Sequence, residues 1–142
     1  MNKSLSIILP VHNLESSISD IVHRLLEVTE DLASQLELMV VDNGSTDSTE
    51  EIVMELCRTI PQVNAIRNSQ AASHEEAVRI GIGGTSGEIV LIQNPNSPVS
   101  AEAVRQLWDM RNDEELVFAR SEPAHTQSVS YTHLTLPTKR IV

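Results

Sequence analysis

A chain of 142 residues is long enough for one domain with a sizeable core and too short for two. Twenty Asp and Glu against ten Lys and Arg leave a net charge of −10, which excludes the basic stripe of a nucleic-acid binder. Only Trp108, Phe118 and Tyr131 are aromatic, so no stacking surface is built in, and an anionic ligand would need backbone N–H groups, an arginine or a cation.

Ser4 to Leu9 is rich in Ile and Leu and stops at Pro10, the pattern of a buried parallel strand. Apolar positions then fall at Ile18, Ile21, Val22, Leu25 and Leu26, which is helical spacing, with Asp20, His23, Arg24 and Glu27 on the wet side. Leu36 to Val41 reads as a second buried strand, closed by "DNGSTDS". Ser48 with Glu51, or Asp47 with Glu50, offers a capping box for a helix that carries Ile52, Val53, Leu56 and Ile60 on one face. Cys57 lies in that helix and is expected to be a buried core thiol.

Val63 to Arg67 reads as a short third strand, and Ala72 to about Gly81 as a weak helix with "GIGGTSG" as its exit loop. That glycine run is no dinucleotide fingerprint, because it follows a helix and precedes a strand. Ile89 to Ile92 is the fourth strand, Ser100 to Arg111 a helix with Val104, Leu107 and Trp108 inward, and Leu116 to Ala119 a fifth strand. Strands and helices alternate, so the class is α/β with a mostly parallel sheet. No run approaches the roughly 18 apolar residues of a membrane span. The opening "MNKSLSIILPVHN" is broken too early for a signal peptide, which makes the cytoplasm the expected location.

In an open sheet of this class, ligands bind beyond the carboxyl ends of the strands. Three exits qualify: "PVHNLE", "VVDNGSTDS" and "QNPNSP". Asp42 at the second can accept from a base N–H or a ribose hydroxyl, and Gly44 lets the backbone turn tightly where a side chain would obstruct a ligand. Glu15 and Asp47 sit at helix starts, where an acid favours the dipole without any ligand; Asp47 is read as structural and Glu15 as open between the two roles. Arg67 ends the third strand, either facing a phosphate or solvated.

Pro10, Val11, His12, Asn13, Leu14 and Glu15, followed by Val41, Asp42, Asn43, Gly44, Ser45, Thr46 and Asp47, resemble the nucleotide-binding half of family 2 glycosyltransferases. The likeness covers about residues 4 to 120. It implies the Rossmann-like GT-A fold and binding of a UDP- or GDP-linked sugar, transferred with inversion to an acceptor hydroxyl. His12 stands where the family has an aromatic and could still lie against a base. In such enzymes the fourth strand exits into Asp-x-Asp or Asn-Pro-Asp, whose last Asp holds Mg²⁺ or Mn²⁺ against the diphosphate. Here Asn94, Pro95 and Asn96 occupy those places.

An amide oxygen can ligate a hard cation but brings no charge, so the resemblance implies a weakened metal site at Asn96. Ser73 and Glu75 stand where the family often has glycine. Glu75 and Glu76 either approach the diphosphate or form a solvated helix face. The family's catalytic base and acceptor site come from the half that follows the metal motif, and no residue of this chain is assigned as base. Membrane attachment would depend on helices in such a further part.

A non-catalytic relative that keeps the donor site without transferring is the alternative. A receiver-like signalling domain would want acids after the first strand, an Asp after the third and a Lys after the fifth. The exits show His12 with Asn13, Arg67 with Asn68, and Arg120 instead. The stretch Val129 to Thr138, "VSYTHLTLPT", resembles the translation of a sequencing-library transposon adapter, so residues 128–142 are expected to be a non-native tail after a 1–127 domain.

Overall fold

The computed structural model describes residues 4–109 and the short backbone segments 119–120, 127–128 and 140–141. Strands and helices alternate as β1 (Leu5–Val11), α1 (Ile18–Thr29), β2 (Leu36–Asn43), α2 (Thr49–Thr59), β3 (Val63–Asn68), α3 (His74–Gly83), β4 (Ile89–Ile92) and α4 (Ala101–Asp109). The strands lie in the order β3-β2-β1-β4 and every pairing between them is parallel. Two further two-residue strands, β5 (Ala119–Arg120) and β6 (Gln127–Ser128), pair with each other antiparallel. The last, β7 (Arg140–Ile141), pairs parallel with Ile89 and Val90 of β4, although it lies within the segment expected to stand outside the fold. Of the expected fifth strand, residues 116–118 lie outside the described residues.

Both faces of the central strands are apolar because both are covered. Leu5, Ile7, Leu9 and Val11 of β1 pack with Ile18, Val22 and Leu25 of α1, Val53 and Leu56 of α2, and Val104, Leu107 and Trp108 of α4. Ile8, Met39, Val41, Val90 and Ile92 point the other way, onto Ala77, Val78 and Ile82 of α3. Burying an Ile or Leu side chain of this kind contributes about 1.5–3 kcal/mol, so the period-2 alternation of one strand secures two layers at once. Among the described helices, three cover the first face and α3 alone covers the second. It lies close: a Cβ on Gly81 would come within 2.7 Å of Ile8 Cγ2 and 2.9 Å of Val41 Cγ2.

Several local expectations need correction. Ser48 is the N-cap of α2 but its side chain makes no capping bond, and neither expected capping box forms. Asp47 Oδ1 instead accepts from Thr49 N at 2.9 Å and from the Thr49 hydroxyl. The "GIG" of the expected exit loop belongs to α3, whose start is fixed by Ser73: its hydroxyl accepts from Glu76 N at 3.2 Å. In α4 the helix begins one residue later than expected, with Ser100 Oγ accepting from Ala103 N, and its expected end at Arg111 lies outside the described residues. Cys57 is half-buried against the larger core, and burial pushes its thiol pKa up.

Candidate donor-binding cleft

The strand order turns back at β1. From β1 the chain steps outward through β2 to β3, then returns to place β4 on the opposite side of β1, with α1 and α3 on opposite faces. A crevice opens beyond the carboxyl ends of β1 and β4, the neighbours at which the strand order reverses. A cleft of about 250 Å³ occupies it, lined by Pro10, Val11, His12 and Leu14 after β1, Asn43 of β2, His74 and Ala77 of α3, and Asn94, Pro95 and Asn96 after β4. In a chain with twenty acids, none of these lining residues carries a carboxylate.

Six expected site residues thus come together: Pro10, Val11, His12, Asn43, Asn94 and Asn96. The other five, Asn13, Glu15, Asp42, Gly44 and Arg67, do not line the cleft and build its frame. Asn13 takes a left-handed backbone (φ 52), and its Oδ1 accepts from Thr46 N at 2.8 Å while its own N–H donates to Ser45 Oγ at 3.0 Å. Glu15 and the second loop bond reciprocally: Ser48 N donates to Glu15 Oε2 at 2.9 Å, and Glu15 N donates to Asp47 Oδ2 at 3.3 Å. Leu14 N donates to Thr49 Oγ1 at 2.9 Å. These bonds lace the loop after β1 to the loop after β2. Glu15, left open between ligand and helix-start roles, is committed to this lacing.

Asp42 is 2 % exposed. Its Oδ1 accepts from Ser45 N at 3.1 Å, and its Oδ2 pairs with Arg67 Nη1 at 2.7 Å. Arg67 also reaches Glu50 Oε2 at 3.2 Å and donates to the Ser45 carbonyl at 3.2 Å. A buried carboxylate needs such partners, and this one finds them inside the protein. Arg67 keeps 36 % of its side chain exposed, does not line the cleft, and serves as the counter-ion of Asp42.

His12 and Asn43 are set with similar care. The His12 Nδ1–H donates to the Asn43 carbonyl at 2.8 Å and Nε2 accepts from Asn13 Nδ2 at 3.3 Å, an arrangement that selects the Nδ1–H tautomer. Asn43 Oδ1 accepts from Ala72 N and its Nδ2 donates to Ala72 O, both at 2.8 Å. That two-point bond brings the lead-in of α3 beside β2 and so delivers His74 and Ala77 to the cleft wall. Gly44, at φ 72, is demanded by this packing, since a Cβ there would stand 3.0 Å from Ala71 N. Its role is contact with Ala71, where the sequence reading expected clearance for a ligand.

His74 and Ala77 are the cleft residues of α3 that sequence reasoning passed over. The signal was the Ser73-x-x-Glu76 box, which marks a helix start. A helix that follows a parallel strand begins at the strand's carboxyl end, hence beside the cleft. Glu75 and Glu76 are exposed and do not line it.

The fourth exit is a closed turn. Asn94 Oδ1 accepts from Asn96 N at 2.9 Å and the Asn94 carbonyl accepts from Ser97 N at 3.2 Å. One of the two amide oxygens available to a cation is therefore already bonded. Among the described residues no group of three or more His, Cys, Asp or Glu is placed to hold a metal ion. The Asn94 and Asn96 amides could ligate a hard divalent cation through oxygen but supply no charge to neutralise it. No described helix is long and apolar enough to cross a membrane.

Known proteins share this frame. The chain is 28 % identical over 114 residues to the undecaprenyl-phosphate 4-deoxy-4-formamido-L-arabinose transferase of Edwardsiella ictaluri, covering 75 % of this chain and 35 % of that protein. The chain thus spans about a third of the length of such relatives. Among solved structures, a mannosyltransferase from Pyrobaculum calidifontis in complex with GDP-Man and Mn²⁺ superposes with a TM-score of 0.64 at 25 % identity, over 75 % of this chain and 33 % of that one. Glucosyl-3-phosphoglycerate synthase from Mycobacterium tuberculosis, in complex with Mn²⁺, UDP and glucosyl-3-phosphoglycerate, gives 0.58 at 23 % identity, over 76 % and 39 %. The four parallel strands and four helices are the Rossmann-like half of the GT-A glycosyltransferase fold. The family model for glycosyl transferase family 2 matches residues 6–133, nearly the whole chain, and the chain belongs to that family.

Proposed function

We propose that this chain is the donor-binding part of an inverting sugar transferase and that its cleft takes a nucleotide-diphosphate sugar with weakened dependence on Mg²⁺ or Mn²⁺. The observation that carries this is the cleft wall: at the reversal point of an acidic chain, it offers amides, imidazoles and backbone but no carboxylate. Such a wall suits an anion, and membership of the family makes a nucleotide diphosphate the natural one. The GDP-Man complex of the 25 %-identical mannosyltransferase supports the same ligand class.

In the whole protein an acceptor hydroxyl would bond to the anomeric carbon as the bond to the diphosphate breaks. The nucleoside diphosphate leaves with the electron pair, and the hydroxyl proton passes to a carboxylate base. The cleft lining contains no such carboxylate, so this chain's described residues bind and orient the donor, and the base comes from elsewhere in the whole protein. The second reading, a relative that binds nucleotide without transfer, is favoured by Asn96 standing where the family's metal-holding Asp would be, and by Ser73 and Glu75 where it often has glycine.

The test is calorimetric titration with UDP and with GDP, each with and without Mn²⁺. The first reading expects binding that Mn²⁺ strengthens modestly; metal-independent binding favours the second, and flat titrations with every nucleotide would sink the first. Asn96→Asp restores a charged ligand at the end of the turn and should enlarge the Mn²⁺-dependent gain on the order of tenfold. An unchanged gain would mean that Asn96 does not stand at the metal position.

A further inference from the structure

Among the described residues, the buried side-chain atom left without a hydrogen-bond partner is Gln93 Oε1, and Gln93 immediately precedes the Asn94–Ser97 turn. It is fully buried at the end of β4, where Ile89, Val90, Leu91 and Ile92 are all apolar. Strand alternation puts it on the face of Ile89 and Leu91, within the larger core. An apolar residue would fill that position without leaving a polar atom unsatisfied. The amide is nevertheless used. Nε2 donates to the Asn94 carbonyl at 3.0 Å and to the Ser97 carbonyl at 3.4 Å, gripping both ends of the turn from behind. The opposite setting of the amide would aim an oxygen at two carbonyl oxygens, so the donor assignment is forced.

The turn it grips is also the partition between two cavities. Asn94, Pro95 and Asn96 line the donor cleft, while Pro95 to Val99, with Ser17, Asp20, Ile21 and Arg24, line a second hollow of about 380 Å³ against α1. Asn96 lies on both sides of that partition and is exposed, with its backbone N–H held by Asn94. The set of the turn therefore decides how the Asn94 and Asn96 amides meet a ligand.

We propose that Gln93 is a positioning residue, which clamps the Asn94–Ser97 turn from the core side and so sets the geometry of nucleotide binding at the cost of fold stability. Its effect on binding rests on the donor-cleft reading; its effect on the turn does not. The clamp makes stability and binding move in opposite directions, which a purely structural residue would not do.

The experiment compares the full chain with Gln93→Leu and, as a second variant of nearly unchanged length, Gln93→Met. Three quantities are read: thermal midpoint, hydrogen exchange of the Asn96 and Ser97 amides, and Kd for UDP and GDP. The expected result is an equal or higher midpoint, about tenfold faster exchange at those two amides, and nucleotide affinity weakened several-fold. Unchanged exchange at Asn96 and Ser97 overturns the clamp, as does a fall in midpoint and affinity together in both variants. If the parent chain binds neither nucleotide, the donor-cleft reading fails by itself. The exchange and midpoint arms then still decide whether Gln93 holds the turn.

Discussion

Asn43 and Gly44 are consecutive residues with opposite demands on space. Asn43 fills its surroundings with a two-point amide bond to Ala72, and Gly44 yields space so that Ala71 can pass. Because Gly44 sits at φ 72 and a methyl group would come within 3.0 Å of a backbone nitrogen, Gly44→Ala combines a disfavoured backbone with a clash that no side-chain rotation relieves. We expect it to cost about 1–3 kcal/mol in a urea unfolding experiment. A change below about 0.5 kcal/mol, the level of an ordinary surface substitution, would show that the Ala71 segment moves away freely. Asn13 meets a similar demand differently: it tolerates its left-handed backbone because Thr46 and Asp47 donate to its side-chain oxygen. Both residues were legible in the sequence as important and illegible as to purpose. Motif residues that look like ligand contacts from their order along the chain spend their polar atoms on neighbouring backbone.

The two loops that leave β1 and β2 behave as one element. Leu14 and Glu15 exchange bonds with Asp47, Ser48 and Thr49 across 32 to 35 positions of sequence, which fixes how α1 and α2 start side by side. Partial desolvation acts to raise the Asp47 pKa, but hydrogen bonds from the Thr49 hydroxyl, the Thr49 N–H and the Glu15 N–H outweigh it and hold the carboxyl below its ordinary value near 3.8. A carboxyl depressed on folding contributes stability that is fully present above the ordinary value and is lost as pH falls through the folded one. Asp47→Asn should therefore be less stable than the parent at pH 7, by a margin that shrinks toward pH 3. Urea melts at the two pH values measure it, and a pH-independent margin would remove charge from the explanation. The helix starts show why local rules fall short. A box read from four consecutive residues cannot foresee that Ser48 gives its N–H to Glu15, a partner 33 residues away. At Ser73 the hydroxyl does accept from Glu76 N, the half of such a box that the serine supplies.

At the scale of the whole molecule, the class, the parallel sheet and all four long strands could be read from the sequence, helped by burial on both faces of the central strands, which writes itself as nearly continuous apolar runs such as "LSIILPV" and "IVLI". The strand order could not be read from those runs. Nothing within β4 says that it lies beside β1 and not beyond β3, and the cleft exists because of that choice. The division of labour between cleft lining and frame was equally hidden, since it depends on which face each side chain takes after the strands end. Arg67 is the clearest case. Its position at a strand exit suited a phosphate, yet pairing across adjacent parallel strands sets Arg67 opposite Asp42, and the buried acid claims it.

The same strand order has a consequence for how the protein comes into being. Ser6 on β1 bonds to Glu37, 31 residues on, and to the Gly87 N–H, 81 residues on. Near contacts close at a smaller entropic cost than distant ones, so β1, β2 and β3 can assemble with α1 and α2 while β4 is still free. The cleft lies between β1 and β4, the first and last of the four long strands, and is therefore completed after β1, β2 and β3 have paired. Pulse-labelled refolding should show amides of β1 and β2 protected before those of β4; simultaneous protection would mean a single nucleus spanning the sheet. A nascent chain that has reached α3 would already own one wall of the cleft and have to wait for the other.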